Sequence, residues 1–332
     1  MSTRVAVVGL GGIGQMQSDV FASEADSELV AAVDRNEAKR DAVASRLGCR
    51  TYASVDDMLA NEQVDLVSVC TAGFEQGGAH LEPTMKALAA GAHVLVEKPV
   101  SNDIAEARTM VDEAKRQGLV LATNLNHRFV HPARRLKEWI DAGEIGEPLL
   151  VAFNLWVANP VDETPYFQLR ELHSHSFDIL RHFAGEIVEL QAFVTKPTSR
   201  SSTWSSCSIN LRFASGAVGS LHGSYDMTTS HPFERFEIAG SKGRAVLDNV
   251  YERLTLMRHD SEDTTVVQNP ILGGIDGFYH SLRFRIRQLL DEIRTGAPIS
   301  ASGDDGLRAL ELIESAIASI QTGEVVACAP QT

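Results

Sequence analysis

No apolar run in this chain approaches the roughly 18–20 residues that span a bilayer, so no membrane helix is expected. Cysteine is scarce. Cys49, Cys70, Cys207 and Cys328 are scattered without CxxC spacing, which reads as unpaired thiols in a reducing, cytoplasmic setting. Positive charge is short as well, with 30 Lys and Arg against 44 Asp and Glu and a net charge of −14. Nothing in that balance would neutralise phosphates along a continuous basic face, so a nucleic-acid partner is not expected. The amino terminus enters a strand without a cationic, apolar leader, and no signal peptide is expected. Repeats and low-complexity tracts are missing too, and 332 residues favour two domains with proper cores.

What is present begins with alternation. Short apolar runs at Val5–Val8, Leu29–Val33, Val64–Cys70, His93–Val96 and Leu119–Ala122 read as strands buried on both faces of a parallel sheet. Between them lie helical patterns such as Ile104 to Gln117, ended by Gly118. The fold class read from this is α/β, with a doubly wound dinucleotide-binding domain over residues 1–123. From residue 124 the pattern changes to a helix near Pro132–Ala142 and strand-like runs at Leu149–Val157, Ile187–Val194, Ser205–Phe213, Ala217–Tyr225, Phe233–Ile238 and Ala245–Leu247. Hairpin signals stand at Ser215-Gly216 and Gly240–Gly243, and closing helices are expected near Phe278–Arg294 and Asp304–Gln321. Residues 124–332 therefore read as an α+β domain with a large, mostly antiparallel sheet, one face of which needs a partner; its closing helices have the option of packing back on the first domain.

Gly9, Gly11 and Gly14 form GxGxxG directly after the first strand, with Gly12 and Ile13 inside the motif. Such glycines serve a tight turn, close approach of a pyrophosphate and tight helix–strand packing, and the helix start offers N–H groups to phosphate. The second strand ends on Asp34, and 34 − 14 = 20 residues is the spacing of a ribose-binding acid. A carboxylate there accepts the ribose hydroxyls and repels a 2′-phosphate, which favours NAD over NADP. Arg35 either stacks on adenine, reaches a 2′-phosphate or is a solvated helix-start residue.

Two further segments carry chemistry. In GAHVLVEKP a buried-looking strand ends on Glu97-Lys98-Pro99, and a Lys at the carboxyl end of a strand in an open sheet projects where such sheets bind ligands. In Glu171-Leu172-His173-Ser174-His175-Ser176-Phe177-Asp178, helical spacing puts Glu171, His175 and Asp178 on one face, an imidazole between two carboxylates. Asn126, Arg128, Trp156, Asn159, Tyr166 and Arg170 add amide, guanidinium and aromatic groups of the kind that suits a polyhydroxylated ring. Trp156 reads equally as a sheet residue in a subunit contact. A zinc site from His173, His175 and a carboxylate lacks further Cys or His at ligand spacing, and no metal is expected.

GLGGIG, AGAHVLVEKP and HSFDIL, in this order over positions 9 to 180, resemble the glucose–fructose oxidoreductase/inositol dehydrogenase/rhizopine-catabolism family of sugar and polyol dehydrogenases. The resemblance implies a two-domain enzyme, a cis bond before Pro99, and catalytic roles for Lys98 and His175. It implies that Thr71 and Glu97 lie along the cofactor and that Glu171 stands where the family more often has Asp, with Asp178 three residues after His175. The activity it implies is NAD-dependent hydride transfer at a secondary hydroxyl of a sugar, cyclitol or glycoside, by a homodimer or homotetramer. The alternatives are an NADP-dependent keto-sugar reductase, a non-catalytic dinucleotide-binding sensor on the same fold, and redox-assisted glycoside hydrolysis.

Overall fold

A computed structural model describes residues 2–73, 75, 77–227, 233–249, 252–268 and 274–328. The chain divides into two compact units, one running to Leu125 and including Leu282–Leu310, the other comprising Asn126–Ser281 and the chain from Glu311.

The first unit alternates β1 (Thr3–Val8), α1 (Gly12–Ser23), β2 (Ser27–Val33), α2 (Glu37–Leu47), β3 (Arg50–Tyr52), α3 (Val55–Asn61), β4 (Leu66–Val69), α4 (Leu81–Ala89), β5 (His93–Val96), α5 (Ile104–Gln117) and β6 (Leu121–Thr123). The strands form one parallel sheet in the order β3-β2-β1-β4-β5-β6. Val5–Val8 and Leu66, Val67 and Val69 are buried on both faces, which is why these strands read as unalternating apolar runs. Asp103 caps α5 by accepting the backbone N–H groups of Ala105 and Glu106, and Gly118 ends it in the left-handed conformation. Strand order reverses between β1 and β4, so the loops after these two strands border the crevice where such sheets bind ligands.

The second unit contains α6 (His131–Asp141), β7 (Pro148–Trp156), α7 (Phe167–Ala184), β8 (Ile187–Thr195), β9 (Ser206–Phe213), β10 (Val218–Ser224), β11 (Glu234–Gly240), β12 (Gly243–Asp248), β13 (Arg253–Arg258) and β14 (Thr264–Gln268). Helices α8 (Gly274–Thr295) and α9 (Gly303–Thr322) follow, with a short β15 (Val326–Ala327). The sheet runs β14-β13-β12-β11-β7-β10-β9-β8-β15. All its pairings are antiparallel except β7 with β10. Both expected hairpins are present, β9–β10 around Gly216 and β11–β12 around Gly240–Gly243. One face buries Phe153, Leu155, Ile209, Leu211 and Leu221, and the other leaves Leu150, Phe193 and Val218 about half exposed.

The observed division falls after Leu125 and again after 281 and 310, so the closing helices contribute Leu282–Leu310 to the first unit. The second half of α8 belongs to the first unit because Arg285, fully buried there, donates to the carbonyls of Thr123 and Ala301. Strands β13 and β14 were not among the runs read from the sequence. Along β14, an edge strand, the threonines are exposed and two adjacent valines stand where alternation would put one, so there is no apolar alternation to read.

Candidate functional site

In the first unit the glycine motif is built around two positions that exclude a side chain. Gly9 has φ +92°, and a Cβ there would lie 2.6 Å from the Cys70 carbonyl oxygen; a Cβ on Gly14 would lie 1.8 Å from the carbonyl oxygen of Gly9. Gly11 and Gly12 instead face open space, and Gly11, at the N-cap of α1, makes no side-chain capping bond. Ile13 sits in that first turn. The helix therefore begins with backbone N–H groups, a positive dipole end and room for a diphosphate. Asp34 follows β2, and its carboxylate accepts the N–H of Leu10 at 2.7 Å and of Asn36 at 2.8 Å. That ties the acid to the glycine turn, with Arg35 exposed beside it. These residues fit an NAD: a cradle cleared of Cβ atoms and a carboxylate held at its rim.

After β5 the Lys98–Pro99 bond is cis. Glu97 points inward: its Oε1 accepts Gln17 Nε2 and Asn124 Nδ2, each at 2.5 Å, and its Oε2 accepts the Lys98 N–H at 3.2 Å. Burial raises the Glu97 pKa against the lowering pull of Asn124, Lys98 and Gln17. Gln17 in turn accepts Ser68 Oγ, so α1, β4 and the strand carrying Lys98 share one polar network. Thr71 donates its hydroxyl to the Ala79 carbonyl at 2.7 Å. His80, which sequence reasoning passed over, lies buried with Nδ1 3.0 Å from the Pro99 carbonyl oxygen, and burial lowers its pKa. Of the glycine-rich stretch 72–79, residues 74 and 76 lie outside the described set.

In the second unit Glu171, His175 and Asp178 lie on α7 at the expected spacing. Asp178, almost wholly buried, binds Arg128 through two oxygens, with Nε to Oδ2 at 2.7 Å. Glu171 accepts the Tyr225 hydroxyl, and burial raises that phenol's pKa. The His175 ring stacks on His127 with centroids 4.2 Å apart and planes 4° from parallel, and Glu234 Oε1 lies 3.3 Å from His127 Nδ1. Asn126 donates to Ser281, Arg170 to Glu314 at 2.8 Å, and the Asn159 N–H to the Tyr225 carbonyl. Tyr166 precedes α7 and Trp156 ends β7, both half-buried. The structure thus brings Arg128, Glu171, His175 and Asp178 into one cluster and adds His127, Tyr225 and Glu234. Those three were missed because only pairing of distant segments assembles them; His127 lies between two residues that sequence singles out, Tyr225 and Glu234 at strand ends.

His173 is a core residue. It contacts Ser176 Oγ and Gln168 Nε2, each at 2.9 Å, and burial takes its pKa down to about 3. Among the described residues no group of three or more His, Cys, Asp or Glu side chains is arranged to hold a metal ion.

Residues 3–125 match the model of an oxidoreductase family with an NAD-binding Rossmann fold (GFO/IDH/MocA), and residues 133–246 match that family's C-terminal domain. This chain belongs to the GFO/IDH/MocA oxidoreductase family. It is 27% identical over 331 residues to myo-inositol 2-dehydrogenase of Thermotoga maritima, covering 96% of both chains. It is 26% identical to inositol 2-dehydrogenase of Rhizobium meliloti, covering 96% of this chain and 97% of that one. An oxidoreductase from Agrobacterium radiobacter, solved with NAD+, L-tartaric acid and magnesium, superposes with a TM-score of 0.90 at 22% identity over 99% of both chains, a likeness of fold. The GFO/IDH/MocA chain described here is an oxidoreductase with an NAD-binding domain, and its described helices include none long and apolar enough to cross a membrane.

Proposed function

We propose that this enzyme oxidises one secondary hydroxyl of a sugar, cyclitol or glycoside with NAD, or reduces the corresponding ketone. The first unit holds the dinucleotide and the second recognises the substrate. The observation that carries the reading is the α7 face, where His175 stands one turn from a Tyr225-bound Glu171 and one turn from an Arg128-bound Asp178. The cyclitol activity of relatives aligned over nearly the whole chain supports the substrate class.

Gly9, Gly11, Gly12, Ile13 and Gly14 hold the diphosphate of NAD, and Asp34 the adenosine ribose; when bound, NAD supplies the hydride acceptor. Lys98 donates a hydrogen bond to the substrate oxygen and stabilises the charge that develops on it. An imidazole nitrogen of His175 takes the hydroxyl proton, the task His performs best near neutral pH. Glu171 orients the substrate or His175, with its reach fixed by Tyr225. Arg128 and Asp178 neutralise each other and act as a rigid floor, while Asn126, Trp156, Tyr166 and Arg170 contribute the polar and aromatic surroundings of a polyhydroxylated ring. The scarcity and scatter of cysteine suit a reducing compartment such as the cytoplasm. The half-exposed apolar sheet face supports a homodimer or homotetramer paired through it.

The test is an initial-rate screen of cyclitols, aldoses and glycosides with NAD and NADP, followed by NADH absorbance. Stoichiometric NADH formation with a neutral polyol or sugar is the expected result; hydrolysis without net redox change, or no turnover across the panel, contradicts it.

A further inference from the structure

The cluster around α7 contains a parallel pair of imidazoles, and only one of them has been given a task. His127 lies in a short 3-10 turn, Asn126–Phe129, between β6 and α6. Its neighbours in sequence fasten that turn on both sides. Asn126 donates to Ser281, and Arg128 makes its two-oxygen bond to Asp178. Adjacent residues of the turn thus meet residues one helical turn apart on α7: Arg128 meets Asp178 and His127 meets His175. The Arg128–Asp178 pair sets the distance at which the two rings can stack, and the rings lie nearly parallel at a 4.2 Å centroid separation.

Behind His127 stands Glu234 at the start of β11. It is buried to 1% exposure, and its Oε1 lies 3.3 Å from His127 Nδ1. The Glu234 backbone is held as well, pairing with Leu155 on β7 and donating its N–H to Asn249 Oδ1 at 3.1 Å. The imidazole faces this oxygen through Nδ1 at close range without a hydrogen bond between them. His127 is therefore held by its backbone turn and by the ring it stacks on, with the Glu234 carboxylate packed beside Nδ1.

From this geometry we propose that His127 is a positioning residue: it fixes the ring plane of His175. The inference rests on the catalytic reading of His175. An imidazole that takes a proton must present one nitrogen within hydrogen-bond reach of the hydroxyl, and rotation about its second side-chain dihedral destroys that aim. A flat ring lying against it on one face removes this rotation without consuming either nitrogen. Stacking asks only for a ring, so a Phe at 127 serves the purpose and an Ala does not.

The experiment compares His127→Ala and His127→Phe for kcat and KM on the best substrate, with thermal melting as a check of folding. In parallel, ring 1H–15N spectra of His175 are recorded on 15N-histidine-labelled protein without NAD. His127→Ala should lower kcat about tenfold to a hundredfold, the range a misaimed catalytic group costs, with KM changed less than about twofold. His127→Phe should recover most of kcat. The His175 ring signals should shift and broaden in the Ala variant and stay sharp in the Phe variant. A wild-type kcat with unaltered His175 spectra in His127→Ala overturns the inference. So does a change confined to KM, which would make His127 a substrate contact, or a Phe variant no better than Ala. Altered His175 spectra with unchanged kinetics, together with near-normal turnover of His175→Ala, would instead overturn the catalytic reading of His175.

Discussion

Asp34 holds two backbone N–H groups, at Leu10 and Asn36, while presenting its carboxylate beside the glycine turn. One acid therefore shapes the loop and, in the function proposed, also selects the ribose. Asp34→Ser should reduce kcat/KM for NAD about tenfold or more, the worth of a lost charge-assisted hydrogen bond, and improve the ratio for NADP as the exposed Arg35 meets a 2′-phosphate. Steady-state kinetics with both cofactors checks this; a wild type that already prefers NADP contradicts the assignment. His173 makes a different kind of prediction. Its pKa is lowered to about 3 by burial, below the ordinary value of 6.5 it regains on unfolding. Between those values the unfolded chain binds the extra proton, so this residue's stabilisation is present above about pH 6.5 and is lost as pH falls towards 3. The contribution falls by roughly 1 kcal/mol per pH unit in that window. Urea midpoints from pH 7 to pH 4.5 should drop more steeply in the wild type than in His173→Gln.

Among the elements, α1 packs too closely on the glycine turn to admit a side chain at Gly14. A Cβ on Gly14 meets the backbone oxygen of Gly9 at 1.8 Å, with no flexible side chain to yield, so the helix must move off the sheet. Gly14→Ala should abolish measurable NAD binding by calorimetry, whereas Gly12→Ala, which meets nothing within 4 Å, should keep part of it. This motif was legible in the sequence because its chemistry is local: strand, turn and helix start within a dozen residues. So were the α7 face and the end of β5, where spacing alone puts Glu171, His175 and Asp178 together. What was not legible depends on distant pairing. Nothing in NLNHRF says that Arg128 spends its charge on Asp178 or that His127 lies on His175, and Tyr225 and Glu234 come from strand ends whose register only the folded sheet sets. Nor does the sequence show that the Glu97 carboxylate accepts Gln17 and Asn124, since these partners come from α1 and from beyond β6.

For the whole molecule, one sheet face remains half open. Leu150 pairs with Val218 in register, and Phe193 lies on the same face two strands away, each about half exposed. A row of this kind is where the proposed pairing with a second copy would form. Light scattering at micromolar concentration should give a multiple of 36.1 kDa, and Leu150→Lys with Val218→Lys should shift it towards the monomer. A monomeric wild type would remove this interface.

The central claim is that Lys98 and His175 serve the chemical step and not cofactor binding. The measurement that tests it is turnover of Lys98→Met, His175→Ala and the double variant, each beside its NAD affinity by calorimetry. The account predicts that each single change lowers kcat about 10²–10⁴-fold, that the double variant is little worse than the singles, and that His175→Ala binds NAD as the wild type does. Near-normal turnover in either single variant, or a loss traced wholly to weaker NAD binding, would contradict it.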